Sequence, residues 1–231
     1  MSQSFPEFLR QFITDERLAR FDEVLSHRTR HITAVLENVF HEHNASACLR
    51  TCDCFGIQDV HIIESKNSFS PNSEISLGSS QWLTLHRHGE PAESVDATPE
   101  ELTLQTITEL KNSGYRVLAT SPRQNSLPME QVDLSRPVAV IFGAEQVGVS
   151  ETAIENADEL IHIPMFGFTE SFNISVSLAL LMQHFTARLR QSDTDWQLPE
   201  DARAALHHDW VCQTLGQKLE PLRRRFEADS A

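Results

Sequence analysis

Short apolar runs alternate with longer amphipathic stretches along this chain, and the change of period marks where strands give way to helices. Thr14 to about His27 sets Leu18, Phe21, Val24 and Leu25 on one side, the pattern of an amphipathic helix. Ala34-Val35-Leu36-Glu37-Asn38-Val39 reads as a short strand. Asn44 to Phe55 reads as a helix, with Asn44 placed to cap its start and Gly56 to end it. Asp59 to Ile63 reads as a second strand and Trp82 to Leu85 as a short third one. Residues 65–80, rich in Ser and Asn, carry neither period and are expected to form a loop with little regular structure.

Thr98-Pro99-Glu100-Glu101 is a capping box with Pro at the first helical position, and Gly114 closes the helix it opens. Tyr115 to Thr120 then reads as a strand that stops at a turn containing Pro122. Pro137 to Gly143 is nearly all apolar, as strands buried on both faces are. Ser150 can cap a short helix, Leu160 to Ile163 is the last strand, and a long helix runs to about Arg190. Residues 192–199 resemble a linker, followed by a helical tail to about Phe226. Strands alternating with helices predict an α/β fold, a mostly parallel sheet with helices on both faces. The expected organisation is an N-terminal helical extension over 1–30, a sheet domain over 31–191 and a C-terminal helical extension over 192–231.

Composition narrows the picture. No apolar run approaches the roughly 18 residues of a membrane span, and Met1 to Glu7 lacks the basic and apolar regions of a secretory signal. A cytoplasmic protein without a membrane partner is expected. The formal charge of −14, from 33 acidic and 19 basic side chains, argues against a large basic surface for nucleic acid. Local basic groups remain at His27-Arg28-Thr29-Arg30-His31, at Arg188 and Arg190, and at Arg223-Arg224-Arg225. Each of these can equally be a solvated helix end. Cys48, Cys52 and Cys54 share one expected helix, and Cys212 stands apart. Their spacing matches neither common zinc pattern, which leaves reduced, partly buried thiols.

Chemistry is concentrated at three strand-to-helix junctions, where ligands bind in sheets of this kind. The first, Phe40 to Asp53, holds Asn44 and, six positions on, Arg50, expected roughly on the same side. The second, Ile141 to Ser150, runs a buried strand into Gly143, Glu145 and Gly148, glycines that permit close approach of a ligand. The spacing is not that of a dinucleotide fingerprint. The third, Ile163 to Ser177, passes Pro164 and a Gly-containing loop into an apolar helix that Ser171 and Asn173 are placed to cap.

In order, E-N-V, H-N-x-S-A-x-x-R-T-C-D, F-G-A-E-x-x-G-V-S and I-P-M-x-G-x-x-x-S-x-N-x-S-V resemble the motifs of the SPOUT superfamily. Within it they are most similar to the TrmH (SpoU) group of tRNA ribose 2′-O-methyltransferases. The resemblance runs from about Glu16 to Arg190. It implies a C-terminal trefoil knot that holds S-adenosylmethionine, with Thr120, Gly143, Ile163, Met165, Ser171 and Phe172 at the cofactor positions. It implies a homodimer with the site near the subunit interface, which Val176, Leu180, Leu181 and Phe185 could supply unless they are core. No metal is expected, because a sulfonium is its own leaving group.

By the same resemblance Arg50 acts on the reacting ribose or phosphate, while Asn44, Glu145, Ser171 and Asn173 hold the Arg and the loops. A free guanidinium loses its proton only above about pH 12, so stabilising a developing alkoxide suits Arg50 better than acting as a base. The implied substrate is the guanosine at position 18 in the D-loop of tRNA. Another tRNA position, ribosomal RNA, or a catalytically silent RNA-binding protein stay open as alternatives. The chain departs from the family pattern at Glu42 between two His, at Phe172 in the S-x-N motif, at Thr169-Glu170 in place of a neutral pair, and in its acidic segment after Ser192.

Overall fold

The computed structural model describes residues 4–64, 69–89, 97–122, 125–144 and 147–230. In chain order its elements are α1 (Phe5–Arg10), α2 (Asp15–Leu25), β1 (Ile32–Glu37), α3 (Glu42–Phe55), β2 (Asp59–Ile63) and α4 (Ser73–Ser76). Then come β3 (Thr84–His88), α5 (Pro99–Asn112), β4 (Arg116–Thr120), β5 (Leu127–Pro128), β6 (Val138–Phe142) and α6 (Glu151–Asn156). β7 (Glu159–His162), α7 (Ile174–Gln191), α8 (Glu200–Leu215) and α9 (Leu219–Ser230) complete the chain. Two compact units emerge, one of residues 29–196 and one joining 1–28 with 197–231.

The larger unit is a seven-stranded sheet in the order β3-β2-β1-β6-β4-β7-β5, parallel at every pairing. Alternation along each strand feeds two cores. Ile32, Ala34 and Leu36 of β1 join Val138, Val140 and Phe142 of β6 under α3 and α7, where Leu49, Leu178, Leu181, Met182 and Phe185 are buried. Val35, Ala139 and Ile141 face the other way, onto Ile107 and Leu110 of α5 and Ala153 of α6. β1 and β6 are buried along their whole length because helices cover both faces.

Helix starts follow local chemistry where the cue is strong. Thr98 and Glu101 close the capping box of α5, Ser150 accepts from the Ala153 amide at the start of α6, and Gly56 ends α3 in the left-handed conformation. Other expectations are corrected. The N-cap of α3 is His41, without a side-chain cap bond, so Asn44 lies inside the first turn instead of capping it. The stretch expected as a plain loop holds α4 and a 3₁₀ turn over Ser79–Trp82. The third strand is displaced to Thr84–His88, paired along its length to β2.

β3 forms one edge of the sheet, and its pairing lines up a row of imidazoles. His61 of β2 stacks on His86 at 4.4 Å between centroids and on His88 at 5.3 Å. His61 Nδ1 lies 3.0 Å from His88 Nε2. Burial, then the neighbouring His86 and His88, push the His61 pKa down to about 3.

The smaller unit gathers α1, α2, α8 and α9 around buried Leu9, Phe21, Leu25, Leu206, Trp210 and Val211. Phe21 meets Trp210 edge-on at 5.6 Å, and the buried Arg28 guanidinium lies 5.4 Å from the same indole. Among the described residues no helix is long and apolar enough to cross a membrane.

Candidate active site

The carboxyl ends of β4, β6 and β7 open into one cleft. Its cavity of about 150 Å³ is roughly ten times the ~10–15 Å³ that one water needs on the same measure, so it suits an organic ligand. Thr120, Gly143, Ile163, Met165, Ser171 and Phe172, which lie far apart in sequence, all line it. Ser121, Pro122, His162, Glu170 and Ser177 line it as well, beyond the residues the motifs single out. Their signal was positional: each neighbours a strand end or the turn into α7.

The walls are shaped by close backbone contacts. A Cβ built on Gly143 would lie 2.0 Å from the Gly148 carbonyl carbon and 2.1 Å from its oxygen. Gly143 is therefore required by space, and Gly148, at φ +74°, by conformation. The Gly148 amide donates to the Ala144 carbonyl at 2.7 Å and closes this loop. Glu145 and Gln146, between them, lie outside the described residues.

The far side of the loop is anchored by Glu37, the acid of E-N-V, which is 2% exposed. It accepts from the Ser150 amide (2.9 Å), Ser150 Oγ (2.7 Å) and Thr103 Oγ1 (2.9 Å). Sequence reasoning did not assign it a role. The available cue was a carboxylate closing an apolar run, followed by Asn38, which the structure places at φ +54°.

The third junction binds the first. Asn173 is the N-cap of α7, its Oδ1 accepting from the Ser175 amide (2.9 Å) and Ser175 Oγ (2.6 Å). Its Nδ2 donates to Asn44 Oδ1 at 3.2 Å. Asn44 thus ties α3 to the start of α7, and the cap of α7 is Asn173 alone, not Ser171. Arg50 sits apart. At about 100° per residue, six positions rotate it roughly 240° from Asn44, not to the same side. Its side chain is exposed, does not line the cleft, and makes no hydrogen bond or ion pair with a described residue.

Several other basic groups have partners within their own unit. Arg30 Nε pairs with Asp59 at 3.0 Å, Arg188 donates to the carbonyls of Met129 and Val132, and Arg190 donates to that of Phe55. Arg224 and Arg225 pair with Glu220 and Asp229 along α9. On α7, Leu181 and Phe185 are core, whereas Val176 and Leu180 remain 42% and 38% exposed. Phe40, Phe166, Phe168 and Phe172 are exposed too. None of the four cysteines forms a disulfide, and Cys48 and Cys52 are buried. No metal-binding group of His, Cys, Asp and Glu occurs among the described residues.

The cleft chemistry fits a cationic or neutral ligand with large apolar parts. Phe142, Val149, Ile161, Ile163, Met165 and Leu181 supply apolar wall, and no Lys or Arg lines it among the described residues.

Comparison with known proteins agrees with this architecture. The family model described as SpoU rRNA Methylase matches residues 31–183. A tRNA (guanosine(18)-2′-O)-methyltransferase of Borreliella burgdorferi is 39% identical over 207 residues, 90% of this chain and 89% of that one. Its counterpart in Thermus thermophilus is 38% identical over 73% of this chain and 81% of its own. The crystal structure of the Aquifex aeolicus TrmH/SpoU tRNA modifying enzyme superposes with a TM-score of 0.74 at 28% identity, covering 88% of this chain and 98% of that one. On these findings, and on a parallel sheet whose carboxyl edge carries the cleft, the chain belongs to the SpoU methylase family.

Proposed function

We propose that this protein transfers a methyl group from S-adenosylmethionine to the ribose 2′-oxygen of guanosine 18 in the D-loop of tRNA. The carrying observation is that all six residues expected at the cofactor line one cleft, in a chain whose relatives act as tRNA (guanosine(18)-2′-O)-methyltransferases. Bound there, S-adenosylmethionine would supply an electrophilic methyl carbon on a cationic sulfur. Met165, Ile163 and Phe172 would hold its apolar parts, and the loops around Gly143 and Ser171 would offer backbone groups. The order that sets β6 and β7 on either side of β4 supports a knotted path around the cleft.

The protein's task is to align the ribose oxygen behind the methyl carbon and to stabilise the charge that builds on it. Arg50 is our candidate for that charge, since its guanidinium is exposed and uncommitted among the described residues. Within its own chain it does not line the cleft. A homodimer that covers Val176 and Leu180 would bring Arg50 of one protomer to its partner's cleft, which accounts for both the bare apolar face and the displaced Arg. Asn44 and Asn173 hold the two helix starts in register. Ribose methylation requires the 2′-hydroxyl and so RNA, reached in a loop where the nucleotide can be splayed out.

The test is methyl transfer from labelled S-adenosylmethionine to bulk tRNA and to ribosomal RNA, with the modified nucleotide mapped by nuclease digestion and mass spectrometry. Label in tRNA as 2′-O-methylguanosine is expected. Arg50→Lys should keep cofactor binding and lower turnover by about 10²-fold or more. Label in ribosomal RNA alone, on a base, or in neither RNA contradicts the assignment.

A further inference from the structure

We propose that Glu170 gives the cleft its preference for the charged methyl donor over the spent, uncharged product. The inference rests on the assignment of the cleft to S-adenosylmethionine and goes one step further, to the residue that tells the two forms apart. Among the described residues Glu170 is the one carboxylate that lines the cleft, and no Lys or Arg lines it. It is exposed and makes no hydrogen bond or ion pair with a described residue. It immediately precedes Ser171, which lines the same cleft.

Charge bookkeeping sets the consequence. On transfer the sulfur–methyl bond breaks, and its electron pair returns to sulfur. The ribose oxygen bonds the methyl carbon, and the ribose proton leaves to solvent. The sulfur passes from a sulfonium of charge +1 to a neutral thioether. Adenine, ribose and amino-acid end are the same before and after, so apolar walls and backbone groups hold donor and product alike. A carboxylate does not: it attracts the sulfonium and has no charge to attract in the product. The apolar surroundings of Phe142, Ile161, Ile163 and Met165 strengthen that attraction relative to water, while the exposure of Glu170 keeps it modest.

Calorimetric titration of S-adenosylmethionine and of S-adenosylhomocysteine into the parent and Glu170→Gln proteins tests this. The expected result is donor binding weakened about fivefold to tenfold with product binding changed by less than about twofold. In the parent the donor-to-product affinity ratio should shrink as salt is raised, and in Glu170→Gln it should stay flat. Glu170→Asp, which keeps the charge, should recover part of the ratio. Equal weakening of donor and product would place the carboxylate on the shared ribose or ammonium and overturn the proposal, as would no change in either. Failure of the parent protein to bind either compound would overturn the cofactor assignment itself.

Discussion

Two glutamates attached to the same sheet have opposite surroundings. Glu37, at the end of β1, is buried and accepts three hydrogen bonds, from Ser150 twice and from Thr103. Glu170, at the mouth of the cleft, is exposed and has no partner among the described residues. A carboxylate can stay buried only when its oxygens are matched by donors. Glu37 is therefore architecture: it fastens β1 to α5 and to the start of α6, and so fixes the far end of the loop that begins at Gly143. Glu170 is satisfied by water until a ligand arrives, so its charge is available to read the ligand. Among acidic groups around one cleft, the bonded one shapes it and the unbonded one responds to what enters.

The contrast breaks most readily at Glu37. Glu37→Ala leaves the Ser150 amide, Ser150 Oγ and Thr103 Oγ1 without their acceptor in a dry setting, and should lower stability by about 3 kcal/mol in urea unfolding. A loss below about 0.5 kcal/mol would show that the network does not hold the loop.

Acid acts through a third polar cluster, the half-buried imidazole row of His61, His86 and His88, with Asp59 against His86 and Glu109 against His88. His61 titrates near 3 in the folded protein because of burial and its His neighbours, against about 6.5 in an unfolded chain. Its depressed value means that the unfolded chain takes up the proton first. Stability is then full above about pH 6.5 and falls as pH drops toward 3, by up to about 1.4 kcal/mol per pH unit from this group. His88, lowered chiefly by burial, adds to the same slope. His61→Asn should flatten the dependence of the unfolding midpoint between pH 6 and about pH 4. An unchanged slope would contradict the assignment.

The smallest expected effect sharpens the comparison from the other side. Glu170→Ala should leave the unfolding midpoint where it is, because an exposed side chain without partners contributes little to the fold. A clear fall in the midpoint would mean that Glu170 is structural after all.

Legibility in the sequence followed the locality of the cause. The capping box at Thr98, the Gly56 stop and the all-apolar run of β6 are decided within a few residues, and each stands where the pattern put it. β5 is two residues long and, among the described residues, pairs with β7 alone, so no periodicity could reveal it. α4 and the 3₁₀ turn after it lie in a Ser- and Asn-rich stretch where Ser46 Oγ donates to the Asn72 carbonyl, a contact across 26 positions. Asn44 illustrates the same limit. Its type favours a cap, but the helix starts three residues earlier at His41, and the Asn44 side chain instead meets a partner 129 positions away. Motif residues around the cleft were legible because strand ends must open there; that Arg50 leaves the side of Asn44 was legible too, since six residues of helix do not restore the same side, and the same-side expectation misapplied that period.

The central claim, that the cleft presents a methyl carbon to a ribose oxygen, is met most directly by one substitution in the substrate. A tRNA transcript with 2′-deoxyguanosine at position 18 should accept no label from S-adenosylmethionine, while the matched ribose transcript accepts about one methyl group per molecule. Equal labelling of the two transcripts would contradict the account.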